Sequence, residues 1–175
     1  MSTLPSARIS VSVGSNCACI RIAGRANFTS SIDFKTLVNG LYERGCSAFI
    51  IDLSDCTMMD STFLGVLAGL GLKVNATQSD PAPRLIELFN PNTRIAELLE
   101  NLGVLHLFQV SHGDPTAPEY ANTCEHVPNT HSREALLANS LEAHRLLMDL
   151  HPDNVARFKD VAAFLAEDLK KIKSS

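Results

Sequence analysis

The residue types most able to do chemistry fall in one short segment, Ile51 to Gly71, which reads IDLSDCTMMDSTFLGVLAGLG. Asp60 and Ser61 stand where a polar stretch gives way to an apolar one, and Thr62 adds a second hydroxyl. Such residues cap helix N-termini. A hydroxyl there also meets the positive end of the helix dipole. A phosphoryl group on it would bring about −1.5 to −2 charges. No Arg or Lys lies between Asp52 and Lys73 to neutralise that charge locally, and Asp60 opposes it. Spacing alone does not separate a phosphoryl acceptor from a plain cap, nor Ser61 from Thr62 as the acceptor. Asp52 and Asp55 suit either the positioning of backbone amides in the loop or simple solvation. Asp60, Ser61 and a distant His can be drawn as a hydrolase triad, but no spacing favours it. P-loop, G-x-S-x-G, H-E-x-x-H and glycine-rich dinucleotide motifs are absent from the sequence. The reading is therefore of a non-enzyme with no cofactor.

Cysteine and histidine offer the other chemistry. The five cysteines are Cys17, Cys19, Cys46, Cys56 and Cys124. An odd number in a chain of this size predicts reduced thiols and a cytoplasmic protein. Cys17 and Cys19 share one face of a strand, and without a second pair they make a poor zinc site. Five of the six histidines, His112, His126, His131, His144 and His151, lie beyond Val110. They are scattered over a linker and two helices, so no metal site is expected. His144 and His151 fall on a helical seam, which predicts packed or half-exposed rings with room for pH sensitivity.

The elements that must position these groups follow from patterning. The 175 residues are 45% apolar and 19% charged, with a net charge of −4, which is enough for a real core. There is no basic run to grip nucleic acid, no apolar stretch long enough to span a membrane and no signal-peptide core. Ile9, Val11 and Val13 alternate with polar residues, as do Ala18, Ile20 and Ile22 after the turn Gly14-Ser15-Asn16. This predicts a hairpin. Thr29, Ser30 and Ser31 offer N-caps for a helix carrying Phe34, Leu37, Val38 and Leu41, closed by Gly45. Ala48 to Leu53 reads as a central buried strand, and Ser54 to Asp60 as a polar loop. Ser61 to Leu72 runs twelve residues without a charge and reads as a helix. Residues 74–83 read as a loop and Arg84 to Phe89 as a strand. Asn92 caps a helix through Ile95, Leu98, Leu99 and Leu102 that Gly103 ends, and Val104 to Val110 makes a last strand. This β-β-α-β-α-β-α-β order predicts an α/β layer fold over residues 1–111.

Residues 112–131 are rich in Pro, Asn and Thr and read as a linker or strap. Residues 132–175 hold two helices parted at Pro152. Val155, Phe158, Ala162, Leu165, Leu169 and Ile172 are spaced as an a/d seam, which Leu137, Leu141, His144 and Met148 continue upstream. A helical hairpin that docks on its own domain, or on a second copy as a homodimer, is expected.

The central segment resembles the STAS family, the anti-sigma factor antagonists and their relatives. The shared features are Asp52-Leu53-Ser54 at a strand end, Met59-Asp60-Ser61, and Leu64-Gly65 with Leu67 in the following helix. Gly24 lies where the family places its strand-to-helix turn. The resemblance implies a STAS-like mixed β-sheet flanked by helices, here with a C-terminal helical-hairpin extension that the family core lacks. It implies a protein-binding switch: Ser61 matches the serine that many relatives phosphorylate, and the unmodified form binds an anti-sigma factor or serine kinase-like protein. The second function in view is a scaffold, or an accessory subunit of a signalling or transporter ATPase complex, that needs no phosphorylation. The partner surface expected is Asp55, Met58, Met59, Asp60, Ser61, Phe63 and Leu64. Phe63 departs from the family's small residue. The uncharged helix has two readings that can both hold: it is buried against the sheet, or its outward face, with Met58, Met59, Phe63 and Val66, is an exposed apolar patch for a partner. Ser61 itself is expected to be exposed.

Overall fold

The computed structural model describes residues 6–76, 86–114 and 123–175. The hairpin forms as its alternation requires: β1 (Arg8–Val13) pairs antiparallel with β2 (Cys17–Ala26). Helix α1 (Phe28–Glu43) follows. Its N-cap is Asn27 rather than Thr29, Ser30 or Ser31. Asn27 accepts from the Ser30 amide while the Ser30 hydroxyl takes the Asn27 amide, a reciprocal capping box. Gly45, at φ 102°, ends the helix as its sequence position suggests.

β3 (Ala48–Asp52) pairs parallel with β2 on one side and with β5 (Ile86–Phe89) on the other, which makes it central. The polar stretch after it is not all loop. Cys56–Met59 form β4, which pairs parallel with the far half of β2, at Gly24 to Ala26. β2 can serve two partners because its register shifts between Gly24 and Arg25, with Gly24 at φ 92°. Composition hid β4 because its stability lies in pairing with β2, not in its own residues.

α2 (Ser61–Ala76) runs four residues past Leu72. The loop expected at 74–83 is therefore helical at its start, and 77–85 lie outside the described residues. α3 (Thr93–Asn101) is capped by Asn92, whose Oδ1 accepts from Ile95 N at 2.9 Å. The strand expected over 104–110 is instead a 3-10 turn (Leu105–Leu107) followed by β6 (Gln109–Ser111). Val104 and Leu107 face the core and spend their backbone on the turn. Within 112–131 the described part adds β7 (Cys124–Glu125), antiparallel to β1. Strand order is β6-β5-β3-β2-β1-β7, with β4 beside β2, a mixed sheet.

α1 and α2 lie side by side, with the Phe34 and Phe63 rings 4.9 Å apart. α4 (Arg133–Leu150) lies against both, and α5 (Asp153–Lys173) packs along α4. Of the a/d seam, Leu141, His144 and Ala162 are buried while Val155 is 45% exposed, and Ala143 and Leu147 of α4 are buried beside it. Within the chain the hairpin docks on its own domain.

Candidate functional site

The site is built at the junction where β4 hands over to α2. The Asp60 amide donates to Ala26 O at 2.9 Å, which ties the end of β4 to the end of β2. The Asp60 carboxylate then reaches two helices. Oδ1 accepts from Phe63 N at 2.9 Å, an N-cap on α2, and Oδ2 accepts from Phe28 N at 2.7 Å, the first free amide of α1. One side chain thus sets the entry angle of both helices. Burial pushes its pKa above the ordinary 3.8, and these amides with the neighbouring His144 pull back only part of that rise.

Ser61 is the first residue of α2 and is half-buried. Its Oγ lies 2.8 Å from Nε2 of His144 in α4. His144 Nδ1 sits 2.7 Å from the Ser140 carbonyl, which can only accept, so Nδ1 carries the proton. In the neutral tautomer that leaves Nε2 as the acceptor for the Ser61 hydroxyl. Phe158 of α5 backs the ring edge-on, with centroids 5.0 Å apart. Thr62, the second candidate hydroxyl, is 4% exposed and lies 2.9 Å from Ser140 Oγ.

Around these two bonds α4 is fitted closely. A Cβ on Gly65 would stand 2.7 Å from both Cβ and the carbonyl O of Ala143, so only glycine allows the approach. On the α1 side, Asn139 Nδ2 donates to Ser31 Oγ at 2.8 Å, and Lys35 Nζ reaches Glu142 at 2.8 Å. Beside this contact α1, α2 and α4 leave a gap that runs from Gly65 to Lys73. A groove of about 630 Å³ opens there, edged by Lys35, Asn39, Lys73 and Leu146.

The expected surface residues do not share one fate. Asp55 is exposed, and its carbonyl accepts from Gly24 N at 2.9 Å. Met58 is half-buried, while Met59 is 5% exposed. Phe63 and Leu64 are fully buried and Val66 nearly so. The exposed apolar patch of Met58, Met59, Phe63 and Val66 is thus corrected. Phe63 turns inward onto Phe34, and Val66 lies beside α4. The bulky ring fills the α1–α2 core. The expectation of an exposed Ser61 is corrected likewise, because α4 lies over it.

Asp52, the strand-ending acid, works locally. It accepts from Ser54 N at 3.0 Å, from Ser54 Oγ at 2.6 Å and from Arg21 Nε at 3.1 Å, shaping the turn into β4. The extension also holds contacts that spacing did not announce. Asp33 of α1, 5% exposed, has His131 Nε2 at 2.9 Å and His126 Nε2 at 3.6 Å. These contacts pin the strap. Among the described residues no group of three or more His, Cys, Asp or Glu is arranged to hold a metal, and no helix is long and apolar enough to cross a membrane. His144 and Ser140 are the site residues that sequence reasoning missed. The signal was present in part, because His144 is a polar residue at a seam position.

A family profile described as STAS domain matches residues 8–119. The fold is similar to that of SpoIIAA, an anti-sigma factor antagonist solved in its unphosphorylated form: TM-score 0.51, 14% identity, 59% of this chain and 87% of that one covered. It is also similar to an anti-sigma factor antagonist from Mycobacterium paratuberculosis, at TM-score 0.51 and 14% identity over 68% and 94% of the two chains. A candidate antagonist from Thermotoga maritima gives TM-score 0.51 and 16% identity over 61% and 86%. At such identities the likeness is one of fold alone. No curated protein sequence matches the chain.

Proposed function

As a member of the STAS domain family, the chain is, we propose, a regulatory protein-binding module in the manner of anti-sigma factor antagonists. It binds an anti-sigma factor or serine kinase-like protein, works in the cytoplasm and accepts a phosphoryl group on Ser61. The observation that carries this reading is the position of Ser61 at the first residue of α2, beside the Asp60 that organises two helix N-termini. In the transfer, an Oγ–P bond forms as the terminal phosphoanhydride bond of a nucleoside triphosphate breaks. The hydroxyl proton leaves to a base, and the nucleoside diphosphate departs.

The arithmetic of release is favourable. The helix dipole offsets only about 0.3–1 kcal/mol of the added charge. A partner carboxylate about 4 Å away is repelled by roughly 4 kcal/mol per unit charge at an effective dielectric near 20. Each 1.4 kcal/mol is about tenfold in affinity. Phosphorylation can therefore dismiss a micromolar partner by electrostatics alone.

The test is capture from native lysate by three baits, wild type, Ser61→Ala and Ser61→Asp, with phosphate mapped on the wild-type chain. A kinase-like protein held by Ser61→Ala and lost by Ser61→Asp supports the switch. Equal capture by all three baits refutes it. The second reading, a scaffold or accessory subunit that self-associates, draws on the outer side of α5, where Val161 is 41% and Phe164 68% exposed. Sedimentation at several concentrations tests it. A mass that Phe164→Glu does not change rules out that face as the interface.

A further inference from the structure

The Ser61 side of α2 already has an occupant. Ser61, Thr62 and Gly65 meet His144, Ser140 and Ala143 across one face. A 2.8 Å gap between Ser61 Oγ and His144 Nε2 holds one proton and nothing larger. In this state His144 takes one side of Oγ, and Ser140 and Ala143 cover Thr62 and Gly65, so no partner can lie across this face of α2. The STAS match ends at residue 119, before α4 begins, and the SpoIIAA likeness covers 59% of this chain but 87% of that one. The shared fold is complete without the hairpin.

The contact between α4 and the α1–α2 pair also has the chemistry of a surface that opens. Its buried members include Thr62, Asn139, Ser140 and His144, and Asn139 Oδ1 is buried with no hydrogen-bond partner among the described residues. Ala143 and Leu147 of α4 join the core beside them, so the seam mixes apolar and polar contacts. A polar seam with an unsatisfied amide loses less on opening, because water completes what the protein leaves unpaired. The groove beside Gly69 and Lys73 leaves one edge of the face free, where an incoming chain can gain a first hold.

We infer that the α4–α5 hairpin is a built-in competitor for the Ser61 face: closed, it holds the Ser61 hydroxyl against His144 and covers Thr62 and Gly65, and the whole face becomes available to a partner only when the hairpin lifts from α2 while the sheet stays folded. This deepens the proposed function and rests on it for the identity of what competes. The lifting itself is measurable without a partner.

The experiment uses the full chain with Thr62→Cys, labelled by N-ethylmaleimide under native conditions and read by peptide mass. Thr62 lies beneath Ser140, while Cys56, 3% exposed, is an internal reporter of global opening. Labelling of Thr62→Cys about tenfold or more faster than Cys56 is the expected result. Ser140→Cys reports the same opening from the other side and should agree. Equal rates for the reporter and Cys56 overturn the inference, because the hairpin then leaves only with the whole fold. A second variant, Thr62→Cys with Ser140→Cys, is oxidised to tie the hairpin down. It is incubated with native lysate and ATP beside its reduced form. Phosphate on Ser61 in the reduced form alone is the expected outcome, and equal phosphate in both forms overturns the competition. Fast labelling with phosphate in neither form leaves the moving cover standing and refutes the phosphoryl acceptor.

Discussion

The hydroxyl of Ser61 and the imidazole of His144, 83 positions apart in the chain, share a 2.8 Å hydrogen bond. That bond joins the first residue of α2 to the middle of α4. It places the residue proposed to be modified beneath the segment that lies outside the family match. The ring is locked from behind by the Ser140 carbonyl and by Phe158, so Nε2 has one direction to point.

Loss of this ring should be felt as stability. His144 is 4% exposed and bonds at both nitrogens. His144→Ala leaves the half-buried Ser61 hydroxyl without this partner, at a cost of about 1–3 kcal/mol if it stays dry. Urea titration should show a lower midpoint. An unchanged midpoint would mean that water enters at once and that the bond holds nothing down.

Phe63→Ala separates a core role from a surface one. The ring is fully buried, 4.9 Å from Phe34. Removing it should cost about 3–5 kcal/mol. A cost under about 0.5 kcal/mol is what an exposed contact residue would give, and would return Phe63 to the partner surface.

Asp60 makes a signed prediction about pH. Its folded pKa stands above the ordinary 3.8, so the native state holds this proton more tightly than the unfolded chain does. Its contribution to stability is therefore greatest below pH 3.8 and declines as pH rises through the raised folded value. Thermal unfolding of wild type and Asp60→Asn should show the wild type losing ground to the variant as pH climbs through that window. A difference that grows in favour of wild type over the same window would reverse the sign and refute the shift.

Gly103→Ala tests the seat of α5. Gly103 has φ 72°, and a Cβ there would stand 2.5 Å from Cδ2 of His151, at the turn between α4 and α5. The change should cost at least about 1 kcal/mol from backbone strain alone. Amide exchange should quicken in α5 before it does in β3.

Thiol reactivity should follow burial. Burial holds the Cys19 and Cys56 thiols up at about 11, so little thiolate forms near neutral pH, whereas Cys124 is exposed. Iodoacetamide should mark Cys124 first and Cys56 among the last. Early labelling of Cys56 would place β4 away from β2.

Much of this protein is legible in one dimension, because its elements follow from contacts a few residues apart. Alternation at Ile9, Val11 and Val13 made a strand, Asn92 capped α3, and Gly45 and Gly103 ended helices with the positive φ that their positions call for. The spacing from Val155 to Ile172 made a helix with one sticky side, and Asp60-Ser61 marked the start of another. What tertiary structure decided was which surfaces meet. β4 exists because β2 has a bulge at Gly24 and a free edge beyond it, a fact of pairing that residues 56–59 do not carry. Phe63 points inward because α1 offers Phe34, and no local period says which side of an uncharged helix faces the neighbour. The meeting of His144 with Ser61 depends on a close approach that Gly65 allows and on a hairpin that folds back on its own domain. Local periodicity specifies that α4 has a face to bury. Only the packed chain, with the shape of α2 against it, selects what that face covers.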